Sequence, residues 1–191
     1  MRVYQHNGSS LYNPSGLKLE FTSDYLVQAL LHLQDRHSFG RVFIVAHSLG
    51  GLVARSSMKK YHQQYPEMAD SLDLLITVNS PLKGMSSAAL GVNNSPIVLP
   101  VWRDLDPGSK FLLDLNNWLL PEKTPYHLVF SFKTDSTGDG VVPLQSQLPL
   151  KVQQNAVRIY GFNNTHVGTL KDKVFLDLFN SILDKRRNNT D

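Results

Sequence analysis

Continuous apolar runs alternate along this chain with stretches of helical periodicity. "RVFIVA" (Arg41–Ala46), "LLITV" (Leu74–Val78), "YHLVFSF" (Tyr126–Phe132) and "AVRIYGF" (Ala156–Phe162) are short and rich in β-branched and aromatic residues. They read as strands, and the first is continuous enough to predict cover on both faces. "RVYQ" (Arg2–Gln5) reads as a further strand, followed by a Gly/Ser/Asn/Pro-rich loop to Gly16. Thr22-Ser23-Asp24 offers a helix cap, after which Leu26, Leu30 and Leu33 share a face and Gly40 ends the element. A second helix is expected from about Ser48 to Tyr65, stopped by Pro66, and a short one at about Ser109–Trp118. In a last helix Val174, Leu178 and Ile182 form one line, with Phe175, Phe179 and Leu183 beside it. Strands alternating with helices predict one α/β domain over residues 1–191, with a mostly parallel sheet flanked by helices. Ligands of such sheets bind beyond the carboxyl ends of the strands. The loops after Ala46, Val78, Phe132 and Phe162 are therefore where chemistry is expected. Residues 82–125 carry no sheet strand and read as a cap, with Ile97, Val98, Leu99, Val101 and Trp102 too apolar for an idle loop.

Composition narrows the function classes. Of 191 residues, 41% are hydrophobic and 18% charged, a globular balance, and there is no cysteine to build a disulfide framework. The net charge of +3 is spread out, apart from Lys59-Lys60 and Lys185-Arg186-Arg187. It does not cluster with aromatics, so nucleic acid is not an expected partner. No apolar run is long enough to span a bilayer, which leaves peripheral membrane contact open. Met1 leads directly into "RVYQ" with no signal-peptide pattern, and the expected location is cytoplasmic. HExxH, paired Cys/His and a phosphate-cradling glycine loop do not occur, so neither a metal nor a cofactor is expected.

The candidate chemistry starts at "FIVAHSLGGLVAR" (Phe43–Arg55). Ala46-His47-Ser48-Leu49-Gly50 is the G-x-S-x-G elbow with Ala in the first small position. A tight strand-to-helix turn needs small residues two before and two after the serine. Ser48 is then presented outward as a nucleophile, and the following helix start favours negative charge beside it. Leu49 would lend its backbone N–H to an oxyanion. A plain helix-capping serine is the simpler alternative.

With these residues the chain resembles the α/β-hydrolase family of serine esterases and lipases, in particular the bacterial lipase-like branch related to GPI inositol-deacylases. The resemblance is carried by "VAHSLGGLVAR", "ITVNSPLKG", "VWRDLDPGSKFL", "GDGVVPLQSQ" and "RIYGFNNTHVGTL", in that order over residues 41 to 170. It implies the α/β-hydrolase fold and the order Ser, acid, His. Asp139 precedes Gly-Val-Val-Pro as the family's acid does, and Asp135 in the same loop is the other candidate. His166 follows the last strand, where the fold keeps its base. His47 adjoins Ser48 and is expected to pack or orient the turn rather than act as the base. His6 lies in a loop after a strand end and is a candidate substrate contact. Trp102 is a candidate for an acyl-binding wall, and Arg103 and Asp104 are expected to anchor the cap. Family members carry a strand and an HG-type oxyanion loop upstream of "RVYQ". The chain as it stands begins after them, an N-terminally truncated version of the fold.

The resulting expectation is a serine hydrolase that cleaves carboxylic esters of small molecules or lipids through an acyl-enzyme. A thioesterase or acyltransferase would use the same triad. A non-catalytic scaffold or binding domain lacking a complete oxyanion hole is the third reading.

Overall fold

The structure, a computed structural model, describes residues 18–67, 69–86 and 100–188. The expected Arg2–Gln5 strand, His6 and Ile97–Leu99 lie outside the described residues. Within them the order is α1 (Leu19–His37), β1 (Val42–His47), α2 (Leu49–Gln64), β2 (Leu72–Val78), α3 (Pro100–Asp104), α4 (Lys110–Asn117), β3 (Tyr126–Phe132), α5 (Leu144–Gln147), α6 (Leu150–Asn155), β4 (Arg158–Asn163) and α7 (Lys173–Asn188). The strands form one sheet in the order β1-β2-β3-β4, and every neighbouring pair is parallel. The α/β class and parallel sheet expected from the alternating pattern are therefore present.

Side chains of β2 alternate between two apolar clusters, which is what a strand at the centre of a layered fold requires. Leu72 and Leu75 join Leu52, Ala54 and Met58 of α2, Val27 and Leu30 of α1, Leu112 and Leu115 of α4, and Tyr126 and Leu128 of β3. Leu74, Ile76 and Val78 face the other way, onto Val129 of β3 and onto Phe175 and Ile182 of α7. Phe175 meets Phe162 of β4 edge to face, with ring centroids 5.8 Å apart. Asp172 starts α7 by accepting from the amides of Val174 (2.8 Å) and Phe175 (3.3 Å). Those bonds hold its carboxyl below the usual carboxylate range. At the amino ends of the strands Asp73 pairs with Arg41 (2.6 Å) and Arg186, pinning the end of α7 to β1 and β2.

Several expectations need correction. The strand from Arg41 was expected to be covered on both faces, yet β1 is only partly buried throughout and Val45 is 45% exposed. It sits at the margin of the described sheet, so the central-strand cover enjoyed by β2 does not reach it. The first helix starts at Leu19, not after Asp24. Its leading amide is taken by Asp104 Oδ2 (2.8 Å) across 85 residues, a tertiary cap with no local signal. Burial has pushed the Asp104 carboxyl up from its ordinary value, against the pull of that bond. The buried line of α1 is Leu19, Ser23, Val27 and Leu30, and Leu33 is exposed. Ser23 lies inside the helix, bonded to the Leu19 carbonyl at 2.7 Å. The helix ends at His37 with Ser38 in the left-handed region, before Gly40. Val174 is exposed, and α7 instead buries Phe175 and Ile182. The segments α5 and α6 were not foreseen, because each is too short to show periodicity.

Candidate active site

Ser48 stands between β1 and α2 with φ 56 and ψ −132, one of three described non-glycine residues with positive φ. Such a backbone costs on the order of 1–3 kcal/mol and persists only where its surroundings impose it. They do so here. The Ser48 amide donates to the Val78 carbonyl at 2.9 Å, prolonging the β1–β2 ladder past the end of β1. The Gly51 amide then closes on the Ser48 carbonyl at 3.0 Å and starts the helix. Gly51 is what lets α2 lie so close. A Cβ there would stand 2.1 Å from Ser80 Oγ and 3.3 Å from Thr77 Cγ2. Gly50 is less constrained than expected, since its Cβ would only touch that of Ala46 at 3.8 Å. A side chain at Gly50 would thus meet Ala46, the small residue two before the serine. Ser48 is half-buried and its hydroxyl makes no hydrogen bond among the described residues. Leu49, 36% exposed, opens α2, so its amide is one of the first-turn donors that a helix leaves unpaired.

The acid and the imidazole are held far more tightly. Asp139 is 1% exposed and both its carboxylate oxygens are occupied. Oδ1 accepts from the amides of Val141 (2.9 Å) and Val142 (2.7 Å), a turn in which Gly140 takes φ 95. Oδ2 faces His166 Nδ1 at 2.7 Å. The backbones are joined as well, with the His166 amide donating to the Asp139 carbonyl at 3.0 Å. Because Nδ1 donates to a carboxylate, the other ring nitrogen, Nε2, is left with a free lone pair. Asp135, the other candidate acid, is exposed.

The two limbs share one edge of the sheet. Ser48 follows β1, Asp139 follows β3 and His166 follows β4, all at carboxyl ends. His47 packs its ring on that of His166, with centroids 4.5 Å apart. It packs, as expected, but against the other histidine rather than the turn. Trp102 lies half-buried on α3, while Val101 and Leu105 of the same segment join the core beside α2. Of the two expected cap anchors, Asp104 caps α1 and Arg103 is exposed. Among the described residues no group of three His, Asp or Glu side chains is arranged to hold a metal ion.

Two buried side chains were missed by sequence reasoning. Gln147 of α5 accepts from the Ser131 amide (3.0 Å) and donates to the carbonyls of Ser131 and Val142 (3.0 Å each), tying the Asp139 turn to the end of β3. Asn79, just after β2 and in the left-handed region at φ 51, donates to the His166 carbonyl at 2.9 Å. Their only sequence signal was membership of "PLQSQ" and "VNSPL", which suggests loops but no contacts.

The fold recurs in solved structures. The product of gene lin2722 from Listeria innocua is 19% identical, with a TM-score of 0.65 over 88% of this chain and 67% of its own. The phospholipase PlaB from Legionella pneumophila is 21% identical, with a TM-score of 0.55 over 68% of this chain and 34% of its own. The esterase PF2001 from Pyrococcus furiosus is 16% identical, with a TM-score of 0.53 over 85% of this chain and 58% of its own. The fold is that of the α/β-hydrolases. A family model described as the PGAP1-like alpha/beta domain matches residues 10–90, from upstream of α1 past the elbow. No curated protein matches the chain. The chain spans only about a third of the length of the Legionella phospholipase. Among the described residues no helix is long and apolar enough to cross a membrane.

Proposed function

We propose that this chain is a serine hydrolase of carboxylic esters, in the lipase-like branch related to GPI inositol-deacylases. The observation that carries the reading is the strained Ser48 turn on the same sheet edge as the buried Asp139–His166 pair. Ser48 Oγ attacks the ester carbonyl and His166 Nε2 takes its proton. Asp139 keeps the imidazole in the correct tautomer and stabilises the imidazolium that forms. The tetrahedral oxyanion is met by the Leu49 amide at the start of α2, where the helix dipole adds to the bond. Collapse expels the alcohol, protonated by His166, and leaves an acyl-serine. Water, deprotonated in turn by His166, then releases the acid. The free Ser48 hydroxyl suits this role, because bonds between nucleophile and base commonly tighten only when substrate is bound.

The apolar rim supports an ester with a hydrocarbon part. Leu49, Val141 and Val167 each adjoin a site segment and are 36%, 57% and 52% exposed. Trp102 would extend that wall from α3. The likeness to a phospholipase and an esterase, and the PGAP1-like match, agree with a lipid or small-molecule ester as substrate.

The test is covalent labelling by a fluorophosphonate, read by mass spectrometry, with turnover of a short-chain chromogenic ester measured alongside. Labelling is expected on Ser48 and lost in Ser48→Ala together with hydrolysis. Labelling or turnover that persists in Ser48→Ala would overturn the reading.

A further inference from the structure

The carbonyl oxygen of His166 is gripped from two strands. His47 Nε2, at the end of β1, stands 2.9 Å from it, and Asn79 Nδ2, just past β2, stands 2.9 Å from it. A carbonyl oxygen only accepts, so His47 carries a proton on Nε2. Asn79 also reaches Thr169 Oγ1 at 3.3 Å, and Thr169 Oγ1 meets Ser131 Oγ of β3 at 2.5 Å. Asn79, Thr169 and Ser131 are all fully buried. The His166 amide is meanwhile tied to the Asp139 carbonyl. With the peptide groups on both sides of its Cα held, His166 retains only its two side-chain torsions. The Nδ1 bond to Asp139 fixes where the ring can point.

We infer that His47 is a positioning residue for His166, setting the distance between base and nucleophile through this backbone bond. The inference rests on the reading of Ser48 and His166 proposed above. His47 immediately precedes Ser48, so the chain that strains the serine also clamps the loop of the base. Movement of one limb is thereby passed to the other. Its side chain bonds the backbone of His166 and packs beside its ring, but makes no hydrogen bond to the imidazole nitrogens.

Four variants test this, with thermal melts to establish folding. His47→Phe keeps a ring but has no donor. His47→Gln can place an amide nitrogen near the position of Nε2, whereas His47→Asn is polar but too short. The readouts are kcat and KM on p-nitrophenyl butyrate and the low-field proton resonance of the His166 Nδ1–H. His47→Phe and His47→Asn should each lose about tenfold in kcat, less than the roughly hundredfold that a 1 Å misplacement costs. Their KM should be nearly unchanged and the low-field resonance broadened. His47→Gln should recover most of the rate and the sharp resonance. Wild-type kcat in a folded His47→Phe, or a His47→Gln as impaired as His47→Asn, would overturn the inference. Ser48→Ala separates the two levels: turnover that survives it overturns the reading of the site itself. An inert Ser48→Ala beside a fully active His47→Phe overturns the positioning role alone.

Discussion

The elbow and the acid–base pair occupy one edge of the same sheet but are stabilised in opposite ways. Ser48 is half-buried and strained, and its hydroxyl makes no bond among the described residues; space is what makes its turn feasible, since Gly51 meets Ser80 with no room for a Cβ. Asp139 and His166 are buried and bonded at nearly every polar atom described. On the proposed reading Ser48 must be reached by substrate, so it cannot be saturated. An orienting acid must not wander, so it can be. The cost of each limb follows: the elbow depends on the absence of atoms, the acid on the presence of partners.

The largest effect should come from the acid. In Asp139→Asn one carboxylate oxygen becomes an NH2 group. It must then either oppose the Val141 and Val142 amides or face Nδ1 and force the wrong tautomer. A loss of about 10⁴-fold in kcat is expected, as for other triads. Asp135→Asn, on the exposed loop, should leave the rate unchanged. The same chromogenic ester assay checks both, and the reverse ranking in folded proteins would move the acid to Asp135.

Next are two stability changes that set partners against space. Gln147→Leu leaves the buried Ser131 amide without its acceptor and takes one donor from each of two carbonyls, and a buried unsatisfied group costs roughly 1–3 kcal/mol. Gly51→Ala overpacks the helix–sheet contact, at a cost of typically ~1–3 kcal/mol. Denaturant melts should rank Gln147→Leu as the more destabilised. Gly51→Ala should regain stability when combined with Ser80→Gly, whereas Gln147→Leu should regain none. Equal rescue of both would dissolve the distinction between the limbs.

The smallest effect is in pH. Desolvation lowers the pKa of His62 and of His127, with Lys123 and Arg158 respectively adding repulsion. The unfolded chain therefore binds more protons below about pH 6.5, the ordinary histidine value. Their contribution is complete above that value and declines as pH falls through it. The melting temperature should drop between pH 7.5 and 5.5, and His62→Gln/His127→Gln should flatten the drop. His127 lies at the amino-terminal half of β3, away from the site edge, so this acid sensitivity belongs to the frame and not to the Asp139–His166 pair. An unchanged slope in the double variant would show that the sensitivity arises elsewhere.

The sequence by itself determined the order of β1 to β4 with α1, α2, α4 and α7, and the bounds of β3. It also supplied the tight turn around Ser48. All of these depend on interactions between near neighbours: apolar runs, the step from strand to helix period, and small residues two places either side of a serine. Tertiary structure alone decided that β1 is half-covered and lies at the margin of the described sheet, and that α1 begins at a carboxylate 85 residues away. It also set apart Asp139, which bonds His166, from Asp135, two loop aspartates that are equivalent on composition and separated only by the resemblance. Only folding shows that Asp139 is enclosed by its own turn and His166 while Asp135 faces solvent. The same holds for His47, Asn79 and Gln147. Their bonds span 119, 87 and up to 16 residues, and no local preference encodes a partner so distant in the chain. Near-neighbour sterics select the elements, but the polar contacts that orient His166 exist only once four strand ends have been brought together.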